Sequence, residues 1–208
     1  MIYFIKKFLR FKSIPKRYDQ LFDEVRNVKP ANIMEIGVWK GERAKKMIEL
    51  AKRYNTSDSI HYYGFDLFEI MDEEKYSKEM SKQPPSIKAI EDKLGDMGAH
   101  IHLFKGDTTQ TLPNVVSDLP KMDLVFIDGG HSLETIENDW LYVSKLLKSG
   151  SMVIFDDYWP NRMDAGSKVA VDAIDRKEYS VTILPVLDEF DTTPFGPLKI
   201  QFAKVVKI

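Results

Sequence analysis

Five aspartates and one histidine stand where short apolar runs of this chain stop. The runs close on Glu35-Ile36-Gly37-Val38-Trp39-Lys40-Gly41, Gly64-Phe65-Asp66, Lys105-Gly106-Asp107-Thr108, Ile127-Asp128-Gly129-Gly130-His131 and Phe155-Asp156-Asp157-Tyr158. A carboxylate in the place of Asp66 can accept hydrogen bonds from both hydroxyls of a ribose, or cap a helix. Asp107 either receives an adenine amino group or caps the next turn. Asp128, Asp156 and Asp157, on what should be adjacent strands, would repel one another and raise one another's pKa. An oxygen-loving cation such as magnesium or calcium is the simplest offset, with helix capping and surface exposure the alternative. His131 has the pKa range of a general base, and is otherwise a hydrogen-bonded structural histidine. His61, His100 and His102 fall at strand starts, away from this edge, and are assigned no chemistry.

These residues share an edge only if the runs are parallel strands. Strands are expected at 31–36, 61–65, 101–104, 123–127 and 151–155, with helices at 42–54, 132–147 and 167–175 and a short helix or turn at 109–119 between or after them. Gly150 is expected to stop the 132–147 helix. Residues 69–94 are charged and broken by Pro84-Pro85, which reads as helical pieces around a loop. Two late strands, 179–185 and 197–208, have no helix between them and suggest an antiparallel pair at one edge. The alternation predicts a doubly wound α/β fold with right-handed crossovers and a mostly parallel sheet. Ligands of such sheets lie beyond the carboxyl ends of the strands, where the five aspartates stand.

Composition narrows the classes. The 208 residues are 43% hydrophobic and 30% charged, as in an ordinary globular chain of one domain, here taken as 1–208. With no cysteine, disulfides, thiolate nucleophiles and thiolate metal sites are excluded. A net charge of -2 supplies no field for a polyanion, so nucleic acid is not expected as a partner. No run is long enough for a membrane span, and a cytoplasmic address is expected. Residues 1–18 place Met1, Phe4, Ile5, Phe8 and Leu9 at helical spacing with Lys6, Lys7 and Arg10 largely opposite. That segment reads as a terminal helix packed on the domain or on a second subunit, which favours a homo-oligomer, rather than as a membrane-surface helix.

The stretch from Ile33 to Gly41, Asp66, the Gly106-Asp107 step, and above all FIDGGHSLETIENDW (126–140) followed by MVIFDDY (152–158), resemble class I S-adenosylmethionine-dependent methyltransferases. Among these the chain is similar to the type 24 family, which includes metal-dependent sugar O-methyltransferases. The resemblance covers residues 31–158 and implies a Rossmann-like seven-stranded sheet with an antiparallel last strand. It implies that Glu35, Gly37 and Gly41 line the methionine and ribose part of S-adenosylmethionine, that Asp66 binds the ribose diol and that Asp107 sits by the adenine. It further implies that Asp128, Asp156 and Asp157 hold a divalent cation such as Mg, and that His131, with Asp128 beside it, serves catalysis as the base. Trp39 departs from the glycine found there in many class I enzymes.

The expected function is therefore methyl transfer to a hydroxyl of a small molecule, a sugar or other vicinal diol. Residues 69–95 are the expected acceptor-binding insertion, or else a solvated helix. Tyr158, Trp159, Asn161 and Arg162 either meet a polar ring or form an ordinary turn. A dinucleotide oxidoreductase would need GxGxxG after the first strand and a late Tyr-x-x-x-Lys pair. The first is absent, and the one such pair, Tyr3 and Lys7, precedes that strand. A catalytically silent cofactor- or metal-binding scaffold, and N-methylation at the same site, remain as alternatives.

Overall fold

Each of the five expected parallel strands forms, and side-chain alternation explains why the central ones are nearly continuous in apolar residues, whereas the edge strand at 100–105 alternates exposed and partly buried positions. A computed structural model describes residues 15–79, 83–191 and 197–208. The central strands are β1 (Asn32–Ile36), β2 (His61–Asp66), β3 (His100–Lys105), β4 (Met122–Ile127) and β5 (Leu147–Tyr158), followed by β6 (Tyr179–Ile183), β7 (Asp188–Phe190) and β8 (Leu198–Lys207). The sheet order is β3-β2-β1-β4-β5-β8-β6, with β7 paired to β8. Pairs among β1 to β5 are parallel, and every pair made by β8 is antiparallel. Ile33, Leu124, Phe126 and Ile154 face one core, while Met34, Ile36, Val125, Ile127 and Phe155 face the other. A strand whose successive side chains enter two cores must be apolar at every position.

The helices are α1 (Tyr18–Val28), α2 (Glu42–Ala51), α3 (Glu73–Lys78), α4 (Ile87–Leu94), α5 (Thr108–Val115), α6 (Leu133–Val143) and α7 (Lys168–Asp172). Helix α1 was not among the elements expected. Its buried Tyr18, Leu21 and Val25 follow helical spacing, and it ends at Lys29, whose left-handed backbone is followed by Pro30. Expectations for residues 1–14 fall outside the described residues.

One expectation about the end of an element is corrected. Gly150 does not stop α6, which ends at Val143 and continues as a 3₁₀ turn, Ser144–Leu146. Leu147 already pairs with Met122, so the sheet recruits the chain before Gly150 is reached. The late strands pair antiparallel at one edge of the sheet, as expected, with β8 between β5 and the outermost β6. The three histidines of β2 and β3 lie on one sheet face: His61 stacks on His100, and Tyr63 on His102, at directly paired positions.

Candidate functional site

Register brings the strand ends together. Ile36 pairs with both Phe65 and Ile127, and Ile127 pairs with Phe155. Asp66, Gly37, Asp128 and Asp156 therefore follow one another along the carboxyl edge. Gly37 has φ +91°, and a Cβ there would lie 1.9 Å from the Asp128 carbonyl oxygen. The ends of β1 and β4 can meet so closely only across a glycine.

Asp128, Asp156 and Asp157 each bring a carboxylate oxygen to within 4.8 Å of the others. A small cavity lined by these residues and Ser167 opens beside them. Three convergent carboxylates are a donor set suited to a hard divalent cation. Among the described residues, three protein cations already meet them. Arg43 Nη2 lies 3.0 Å from Asp128. Arg17 forks onto Asp156, Nε to Oδ1 at 2.8 Å and Nη2 to Oδ2 at 2.9 Å. His131 Nε2 is 2.6 Å from Asp157. The Tyr18 hydroxyl stands between Asp128 and Asp156, 3.3 and 3.4 Å away.

Sequence reasoning foresaw that something positive must offset these charges but did not find Arg17, Tyr18 or Arg43. Arg43 follows Gly41 by two residues and could have been suspected as that cation. Arg17 lies 139 positions from Asp156, and no local pattern links them.

The charges respond as electrostatics requires. Burial, with Asp156 and Asp157 beside it, holds the Asp128 carboxyl well above the usual carboxylate range against the pull of Arg43 and Arg17. Burial alone would also raise Asp157, but His131 and Arg17 hold it below that range. Burial disfavours charge on His131, yet Asp157 outweighs it and lifts the imidazole to about 9. Geometry agrees: Nδ1 faces the Glu79 carbonyl oxygen at 2.5 Å, so both ring nitrogens meet acceptors and both carry hydrogen. The ring stacks on Trp159, centroids 5.6 Å apart, and Trp159 Nε1 donates to Asp157 at 3.2 Å. Trp159 is thus a packed wall of the site, and the Tyr158 hydroxyl is turned to Asp172.

The other expected residues lie along the same edge. Glu35 is fully buried, bonded to the Tyr62 hydroxyl and 3.3 Å from Arg43 Nε; burial pushes it up to about 7 despite Arg43. It touches the edge through Arg43, which also donates to the Gly37 carbonyl at 3.0 Å. Gly41 opens α2 at φ +70°. Asp66 accepts the backbone N–H groups of Trp39 at 2.7 Å and Phe68 at 2.9 Å, one on each oxygen. Both donors are non-glycine residues at positive φ, so Asp66 fixes two strained turns. A carboxylate has about four acceptor positions, so two remain for ribose hydroxyls, and the residue fits the nucleoside of S-adenosylmethionine. Asp107 caps α5 through the Thr109 N–H at 2.9 Å and is paired with Lys75.

Glu79, from the stretch expected to bind the acceptor, docks onto this edge, a role not foreseen for it. Glu79 accepts from Ser132 N, Ser132 Oγ and Thr135 Oγ1 at 2.9, 2.8 and 2.9 Å, across the first turn of α6. A carboxylate is favoured there by the unpaired N–H groups and dipole of the helix.

Comparison with known proteins agrees with this geometry. A family model for a methyltransferase domain, Methyltransf_24, matches residues 34–158. An uncharacterized protein of Acanthamoeba polyphaga mimivirus is 28% identical over 97 residues, 43% of this chain and 44% of that protein. The chain therefore matches less than half the length of that relative. Among solved structures, an O-methyltransferase from Bacillus cereus in complex with S-adenosylhomocysteine superposes with TM-score 0.64 at 15% identity, covering 97% of this chain and 86% of that one. A Clostridium thermocellum chain provisionally described as an rRNA methylase gives TM-score 0.64 at 15% identity, over 94% of this chain and 100% of that one. The O-methyltransferase TomG of Streptomyces achromogenes, in complex with S-adenosylmethionine, gives 0.56 at 15% identity, over 95% and 82%. At these identities the structures speak for the fold, while the family model covers more than half the chain and both sequence motifs of the strand ends. The chain belongs to the Methyltransf_24 family of class I S-adenosylmethionine-dependent methyltransferases.

Proposed function

We propose that this chain transfers a methyl group from S-adenosylmethionine to a hydroxyl of a small molecule, a sugar or other vicinal diol, with a divalent cation such as magnesium held by Asp128, Asp156 and Asp157. The observation that carries the reading is the convergence of those three carboxylates with His131 beside the Gly37 and Asp66 turns. S-Adenosylmethionine supplies a methyl group already activated on a sulfonium, and the cation supplies positive charge beside two neighbouring hydroxyls, lowering the pKa of the reacting one.

The chain's own residues then have separate tasks. Asp66 takes the ribose diol through its two remaining acceptor positions, and Asp107 lies by the adenine. Gly37 and Gly41 let the backbone approach the methionine part, and Glu35 acts through Arg43. Residues 69–95 present the acceptor, which alignment with the methyl group makes reactive. His131 holds the proton question. Bonded to Asp157 and to the Glu79 carbonyl it carries both protons, so it can take the hydroxyl proton at Nε2 only after its own Nε2 proton has passed to Asp157 or to water. We place the reaction in the cytoplasm, in one methyltransferase domain that forms a homo-oligomer, with no nucleic acid as acceptor.

A silent cofactor-binding scaffold is the second reading, favoured by one observation: both nitrogens of His131 are engaged by acceptors. Incubation with methyl-labelled S-adenosylmethionine, magnesium and a panel of sugars, catechols and amines decides between them. Label on a sugar diol supports the proposal. Label on an amine replaces O- by N-methylation, and no label with cofactor bound favours the scaffold. Among the described residues no helix is long and apolar enough to cross a membrane.

A further inference from the structure

Two of the three cations on the carboxylate cluster come from the turns that build it. Arg43 follows the β1 turn, and His131 follows the β4 turn. The third does not. Arg17 stands just ahead of α1, reaches across to β5, and is held at its own far side by β7. Its Nη1 lies 3.0 Å from Asp188, and the backbone N–H groups of Lys16 and Arg17 donate to the same carboxylate at 3.0 and 3.2 Å. The side chain is 7% exposed. Its fork uses both oxygens of Asp156, and the Tyr18 hydroxyl next to it lies between Asp156 and Asp128.

A divalent cation bound by all three carboxylates needs an oxygen of Asp156. The guanidinium takes one position on each oxygen, the Asp157 N–H donates to Oδ1 at 2.6 Å and the Tyr18 hydroxyl lies 3.4 Å from Oδ2, so the four acceptor positions are filled, and a second positive charge brought among them would repel Arg17. Arg43 and the Tyr18 hydroxyl meet only Oδ2 of Asp128, and His131 and Trp159 take one position on each oxygen of Asp157, so both of these carboxylates keep acceptor positions open with Arg43 in place. The conflict is confined to the start of α1. It is also the part of the cluster tethered by a separable contact, Asp188, that lies outside the three carboxylates.

Resting on the metal reading above, we infer that Arg17 is an internal competitor for the cation's place. The first turn of α1 and a divalent cation occupy Asp156 alternately, so binding of the cation releases residues 16–18 from Asp156 and Asp188. Arg17 thereby sets how tightly this chain takes a metal, and the start of α1 reports whether it is loaded.

The test uses Mn2+ as the probe, bound to the full chain and counted by electron paramagnetic resonance. The proteins are wild type, Arg17→Met and Asp188→Asn. Arg17→Met is expected to bind Mn2+ at least about tenfold more tightly than wild type, because the competing charge is gone. Asp188→Asn leaves the cluster intact, loosens only the tether, and should shift affinity the same way by less. It carries the test if Arg17→Met fails to fold. Hydrogen exchange of wild type should speed up at residues 16–20 on adding Mg2+ while α2 is unchanged. Equal Mn2+ affinity in wild type and the folded variants overturns the competition and leaves the metal reading standing. No Mn2+ binding by any folded form overturns the metal reading and the competition with it.

Discussion

Replacing Asp139 by asparagine should stabilise the protein above neutral pH and change little in acid. Asp139 lies on α6, wholly buried, and among the described residues neither carboxylate oxygen has a partner at hydrogen-bonding geometry. Its polar neighbours are Thr108 and Asn138, and the nearby charges, Asp107 and Glu79, are negative. Burial, with those two charges, pushes the carboxyl up to about 7 from an ordinary value of 3.8. Between the two values the folded state keeps a proton that the unfolded chain has lost. Stability on this account falls as pH rises from about 4 to 7 and is level beyond. A difference of about 3 units at about 1.4 kcal/mol each gives a penalty on the order of 4 kcal/mol above pH 7, as an upper bound. Asparagine has the same shape and no charge to bury. Urea unfolding of both proteins at pH 5 and pH 8.5 measures the effect. The gain for Asp139→Asn should be about 2.5-fold larger at pH 8.5 than at pH 5, and an equal difference at both pH values would refute the reasoning.

Other substitutions test other links. Gly37→Ala should cost about 3 kcal/mol or more of unfolding free energy, because positive φ and a clash with the Asp128 carbonyl act together; a loss under about 1 kcal/mol would show that β1 and β4 do not abut as described. His131→Gln should lower methyl transfer by about 10² to 10⁴ with S-adenosylhomocysteine affinity unchanged, and a rate near wild type would remove it as the base. Glu79→Ala should cost about 1.5–3 kcal/mol by leaving the α6 terminus without its carboxylate, measured by thermal unfolding and absent if that contact is incidental.

The parallel sheet was legible in the sequence because its signal is local. The central strands are short runs facing two cores, and a glycine or a carboxylate stands at or next to the carboxyl end of each parallel strand. The carboxylates Asp66, Asp128, Asp156 and Asp157 were legible for the same reason: a sheet edge turns sequence position into spatial proximity. What could not be read was whatever arrives from elsewhere. Arg17 meets Asp156 only through packing of α1 beneath β4 and β8, and Glu79 meets Ser132 only through the docking of residues 69–95. Helix α1 itself carried a readable pattern in Tyr18, Leu21 and Val25, overshadowed by the apolar segment before it. The short strand β7 has three residues and no periodicity to detect.

The central claim is that the carboxyl edge of this sheet binds S-adenosylmethionine through Asp66. Calorimetric titration of the full chain with S-adenosylhomocysteine, with and without magnesium, tests it most directly, alongside Asp66→Ala. The account predicts saturable one-site binding by wild type in both conditions and its loss in a folded Asp66→Ala. Absence of binding by the folded wild type under either condition, or undiminished binding by Asp66→Ala, would contradict it.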